Sequence, residues 1–87
     1  MQGIWTKPQW VTYLALYLQK RFQTSYNLNR SMNWVVNKGL RSVTSRRRRK
    51  KIRQRVLNLK EKNVVTLMDF YNLMNMFPVR ALANIGY

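Results

Sequence analysis

The chain has 87 residues, with seventeen Lys and Arg against two Asp and Glu, a formal charge of +15. It contains no cysteine and no histidine, which excludes disulfide scaffolds, thiolate zinc sites, thiol nucleophiles and the commonest general base. A domain this short buries only roughly 60–65% of the surface its unfolded chain exposes, so it supports one modest core.

The hydrophobic share of 46% and the aromatic share of 13% are ordinary for a folded domain and too high for disorder by composition. The two acids, Glu61 and Asp69, are too few to neutralise the chain's own charge, and they read as a turn residue and a helix cap. Self-repulsion on this scale destabilises a compact monomer, so folding is expected to lean on a dense polyanion. Nucleic acid is the first candidate partner and an anionic membrane surface the second.

In chain order, Thr6 suits an N-cap and Pro8 a first helical turn. From Trp10, apolar residues fall at Val11, Leu14, Ala15, Leu18 and Phe22, which predicts a helix ending near Lys20 and Arg21. Residues 1–22 are read as mature structure rather than a targeting segment. The apolar run from Trp10 to Leu18 is about half of the ~20 residues needed to span a membrane. Residues 23–33 are dense in Ser, Thr and Asn and read as a loop. Gly39 is expected to break any helix running in from Trp34.

Twelve of the seventeen bases lie in residues 38–62. This stretch reads two ways. Ile52, Val56 and Leu59 have helical spacing among good helix formers. Yet Val56–Met68 also reads as a hairpin, with a polar turn at Lys60–Asn63 and a β-branched run from Val64. Beyond it, Asp69 is positioned to cap a short helix through Phe70, Leu73, Met74 and Phe77, which Pro78 terminates. The tail from Ala81 carries no strong signal.

The candidate chemistry is phosphate neutralisation. Arg46, Arg47, Arg48, Arg49, Lys50 and Lys51 form one unbroken run, followed by Arg53 and Arg55. Guanidinium forks match phosphate geometry, and each contact releases condensed counterion. Trp5, Trp10, Tyr13, Tyr17, Tyr26 and Trp34 are candidates for stacking on unpaired bases. Helical periodicity favours a core role for Trp10, Tyr13 and Tyr17, and Trp5 is the better stacking candidate.

Four segments in order resemble a known family. IWTKPQWV at Ile4–Val11, LRSVTSRR at Leu40–Arg47, VLNLKEKNVVTL at Val56–Leu67 and FPVR at Phe77–Arg80 are similar to segments of the ribosomal protein nineteen family of the small subunit. The Asn-, Tyr-, Phe- and Met-rich composition suits a divergent organellar, mitochondrial form. The resemblance implies an α+β fold: an N-terminal helix, a small antiparallel β-sheet, a short C-terminal helix and a basic RNA-binding loop. It tips the ambiguous middle toward strands. It also implies binding to small-subunit rRNA in the head, beside a ribosomal protein thirteen type neighbour. By the matched motifs, Trp5, Lys7, Pro8, Arg41, Arg46, Arg47 and Arg80 would be RNA contacts. Arg48, Arg49, Lys50, Lys51, Arg53, Arg55, Lys60 and Lys62 join them on charge alone. The expected role is structural, with no catalysis and no cofactor. The alternatives are an accessory membrane-associated subunit of a respiratory complex and a viral nucleic-acid packaging protein.

Overall fold

A computed structural model describes residues 5–24 and 28–86. They form five helices: α1 (Lys7–Thr24), α2 (Leu28–Leu40), α3 (Arg46–Glu61), α4 (Leu67–Asn75) and α5 (Val79–Gly86). No strand occurs among the described residues, so the expected α+β fold with its antiparallel sheet is overturned.

α1 begins where the sequence predicts. The Thr6 carbonyl accepts from the Trp10 N–H at 3.1 Å, and the Gln9 side chain accepts from the Thr6 N–H at 2.9 Å. These bonds satisfy groups that a helix start otherwise leaves open. Trp10, Val11, Leu14, Ala15 and Leu18 are buried. This face packs on α4 and α5, and α1 also touches α2. The pairs Lys7–Asn75 and Thr12–Tyr71 set α1 and α4 antiparallel.

α2 corrects two expectations. The Asn- and Ser-rich stretch from Leu28 is helical, because Met32, Val35 and Leu40 supply an apolar stripe that the polar residues between them had masked. Gly39 does not break the helix. It lies in the last turn, where a Cβ would come within 2.5 Å of Cε1 of Phe77. The glycine is there for close approach rather than for a turn.

The hairpin reading of the middle fails in favour of α3. Ile52, Val56 and Leu59 are buried at i, i+4 and i+7, whereas Leu57 is 52% exposed. A strand would put Leu57 and Leu59 on one face; the helix separates them. Ser45 caps α3, its hydroxyl accepting from the Arg48 N–H at 3.3 Å. α3 packs on α2 and α4. The contacts Lys60–Asn33 and Arg49–Leu40 make α3 antiparallel to α2.

Residues 62–66 are a linker rather than turn and strand, and Val64 is 71% exposed. α4 then starts one turn earlier than Asp69 alone suggests. Thr66 is its N-cap, and Asp69 closes a capping box by accepting from the Thr66 N–H at 2.8 Å. Pro78 ends α4 and opens α5, its carbonyl accepting from Ala81 and Leu82 at 3.0 and 3.1 Å. The unsignalled tail becomes α5, with Ala81, Leu82 and Ile85 buried.

Candidate nucleic-acid interface

The basic run is helical from its first arginine. Arg46, Arg47 and Arg48 occupy the first turn of α3, and no acid accompanies them there. Cations at a helix N-terminus oppose the macrodipole, at a cost of about 0.3–1 kcal/mol each when exposed. Burial of Ile52, Val56 and Leu59, at roughly 1.5–3 kcal/mol per side chain, offsets that cost. The result is a positive end fixed by apolar anchors two turns away.

The loop feeding α3 is held from three sides. Arg49 is half-buried and donates from Nη1 to the carbonyls of Leu40 at 3.3 Å and Val43 at 3.0 Å. Arg80 donates from Nε to the Ser42 carbonyl at 3.2 Å, and Asn84 donates to the Ser42 hydroxyl. Val43 is buried beneath them. The first turn of α3 therefore leaves the body of the protein at a fixed angle.

The fifteen candidate residues separate by what their side chains touch. Five are used inside the fold. Arg49 and Arg80 hold residues 40–43, as above. Lys7 donates to the Asn75 carbonyl at 3.1 Å, at the negative end of α4. Lys60 donates to Asn33 Oδ1 at 2.8 Å. Lys62 pairs with Asp69 at 2.6 Å. That contact and the Thr66 N–H hold the Asp69 carboxyl below the usual carboxylate range.

Trp5 is half-buried, edge-on to Trp10 at 4.9 Å and to Tyr13 at 5.3 Å, so it extends the core rather than standing free. Pro8 is exposed in the first turn of α1. The stacking candidate Tyr26 lies outside the described residues.

The remaining eight are Arg41, Arg46, Arg47, Arg48, Lys50, Lys51, Arg53 and Arg55. Among the described residues their side chains have no hydrogen-bond or ion-pair partner. All are exposed except Arg55, which is half-buried. They flank α3 on two sides. Arg46, Lys50 and Arg53 line a depression with Thr44, Gln54 and Leu57. It continues through Arg49 and Arg53 into a groove walled on the α2 side by Val36, Asn37 and Arg41. On the opposite flank, Arg47, Arg48 and Lys51 line a second depression with Ser45, Asn75 and Met76. The one acid of the helix, Glu61, sits at its far end.

A second cationic feature was missed in the sequence. Trp34 on α2 has the Lys38 Nζ 4.8 Å and the Arg21 guanidinium carbon 5.1 Å from its ring. Tyr17 lies 6.1 Å from the same ring and its hydroxyl accepts from Arg21 at 3.4 Å. The signal was the i, i+4 spacing of Tyr17–Arg21 and Trp34–Lys38, visible once residues 28–40 are a helix.

No protein family, curated protein or solved structure compared with the chain matches it. Among the described residues no helix is long and apolar enough to cross a membrane.

Proposed function

We propose that the protein binds RNA by seating α3 and Arg41 against phosphates, as a structural constituent of a ribonucleoprotein. The assembly proposed is a mitochondrial small ribosomal subunit, on the strength of the sequence resemblance, with a ribosomal protein thirteen type neighbour. The strand pair implied by that resemblance is not part of the reading: the RNA-binding element is a helix, not a loop.

The observation that carries the proposal is the set of eight unpartnered cations gathered on one helix and its neighbouring turn. A folded chain that ties Lys7, Arg49, Lys60, Lys62 and Arg80 into its own structure leaves these eight without such ties. Arg and Lys arranged this way bind backbone and shape, positioning the protein without reading sequence. If all eight engage phosphates, the plot of log affinity against log salt has a slope of about −6 to −7.

The test has two parts. Titration of the whole protein with an RNA at a series of salt concentrations measures the slope. Sedimentation of an organelle lysate on a gradient at moderate salt locates the protein. Co-migration with the small subunit supports the assembly; absence from those fractions ends that part. A salt slope near zero ends the RNA reading itself.

A further inference from the structure

We propose that the ligand of α3 is an RNA duplex whose major groove is opened by a bulge, with α3 lying in the groove and one row of cations on each phosphate strand. This rests on the RNA reading above and names the form of the RNA.

The argument starts from the two depressions flanking α3. At roughly 100° per residue, Arg46, Lys50 and Arg53 form one row, and Arg48, Lys51 and Arg55 form another about 170° around the helix. Each row extends along about 10 Å of helix axis. The lining residues agree with this division. The first row shares its depression with Thr44, Leu57 and the neighbouring Gln54; Arg48 and Lys51 of the second row share theirs with Arg47 and with Asn75 and Met76 at the end of α4, and Arg55 lies one turn beyond it. A single strand lying along α3 would engage one row and leave the other in water. Two strands with α3 between them engage both.

Between the rows runs a crest that carries Arg47, Gln54 and Asn58, all exposed, with Gln54 Nε2 donating to Asn58 Oδ1 at 3.1 Å. Amide side chains between two rows of phosphate-seeking cations face where base edges lie in a groove. Amides are suited to those edges because each offers both a donor and an acceptor.

Within RNA, groove dimensions then select the form. An α-helix with side chains is about 10–12 Å across. The major groove of a regular A-form duplex is deep and too narrow for side chains to read, so it does not admit α3. An unpaired bulge interrupts the regular duplex and lets the groove widen. The fixed exit angle of α3, held by Arg49, Arg80 and Asn84 on residues 40–43, suits insertion of a preformed helix.

The experiment is fluorescence anisotropy with the full chain at 200 mM salt against four probes of equal length. They are a fully paired RNA duplex, the same duplex with a three-nucleotide bulge, the single strand, and a DNA duplex of the same sequence. The expected result is binding to the bulged RNA at least tenfold tighter than to the other three. Equal affinity across the panel, or tighter binding to the single strand, overturns the groove proposal and leaves the RNA reading standing. DNA binding at least as tight as bulged RNA overturns the choice of RNA. Failure to bind any probe at 50 mM salt overturns both.

Two triple variants test the rows: Arg46→Gln with Lys50→Gln and Arg53→Gln, and Arg48→Gln with Lys51→Gln and Arg55→Gln. Each is expected to lower the salt slope on bulged RNA by about 2–3. A slope carried entirely by one row overturns the two-strand geometry. Gln54→Ala with Asn58→Ala should reduce the preference for the bulge at least threefold and leave the slope unchanged; an unaltered preference removes the crest from the proposal.

Discussion

The guanidinium of Arg49 donates to the carbonyl of Val43 at 3.0 Å, across the turn that joins α2 to α3. The same nitrogen reaches the Leu40 carbonyl at 3.3 Å, so the fourth base of an unbroken cationic run serves as an internal fastening. Both acceptors belong to backbone that the end of α2 leaves without helical partners.

Arg49→Gln is therefore expected to act on stability rather than on phosphate binding. Loss of charge-assisted bonds to two carbonyls costs about 1.5–3 kcal/mol. Thermal unfolding in the presence of sulfate, followed by circular dichroism, should show Tm falling by roughly 4–8 °C per kcal/mol lost. Arg48→Gln, one residue earlier and exposed, should raise Tm by a few degrees rather than lower it, because it removes a cation opposed to the helix dipole, and should reduce the salt slope by about 1.

Gly39→Ala introduces a methyl where Phe77 Cε1 stands 2.5 Å away and Ile85 Cδ1 3.0 Å away. Phe77 is fully buried, so its ring has no open space to swing into. The expected cost is about 1–3 kcal/mol from overpacking, despite the better helix propensity of alanine. Combining Gly39→Ala with Phe77→Leu should recover part of the loss; strict additivity of the two changes would show that the ring is not what the methyl meets.

The Lys62–Asp69 contact gives the protein an acid-sensitive joint at the start of α4. Asp69 has its pKa lowered, first by the Lys62 side chain and then by the Thr66 N–H. A depressed carboxyl adds stability above its unfolded value and loses it as pH falls through the folded value. Neutral solutions thus keep the full contribution, and the loss begins as pH drops below about 4. Because the lysine is largely exposed, screening limits the ion pair to about 1 kcal/mol or less. Asp69→Asn should lower Tm at pH 7 and flatten the dependence of Tm on pH below 4.

Crowding of Arg46, Arg47 and Arg48 at the positive end of α3 predicts an unusual response to anions. Sulfate or a short polyphosphate should raise Tm far more than chloride at equal ionic strength, following the binding relation for a ligand of the native state. Equal effects of the two salts would assign the stabilisation to general screening. A broad, uncooperative transition in low salt without polyanion is expected, and a sharp one would show that the apolar core suffices alone.

Legibility in the sequence followed the ratio of apolar signal to polar noise. α1 was readable because Trp10, Val11, Leu14, Ala15 and Leu18 repeat at helical spacing, and all five are buried. α2 was hidden because Asn29, Ser31, Asn33 and Asn37 around Met32 and Val35 signal loops when taken one at a time. In α3 three anchors, Ile52, Val56 and Leu59, had to be weighed against a β-branched run at Val64 and Val65 that turned out to be linker. α5 was invisible because eight residues carry too few repeats to show a period. The charged segment was plain, but composition could not say which cations the fold uses itself. Arg49, Lys60 and Lys62 match their neighbours in type and differ only in having a carbonyl, an amide or a carboxylate within reach.

α3 rests chiefly on α2 and α4, while α1 packs on α4 and α5, and α5 packs in turn on α2. The cationic arm is thus a separable tier, attached by three aliphatic side chains, the Arg49 fastening and the Lys60–Asn33 bond. Native-state hydrogen exchange should report it as the first tier to open, with the amides of Ile52–Leu59 trading deuterium well before those of Leu14–Leu18. A polyanion that grips both flanks would then act as a splint, slowing exchange along the arm without altering the slowest amides beneath.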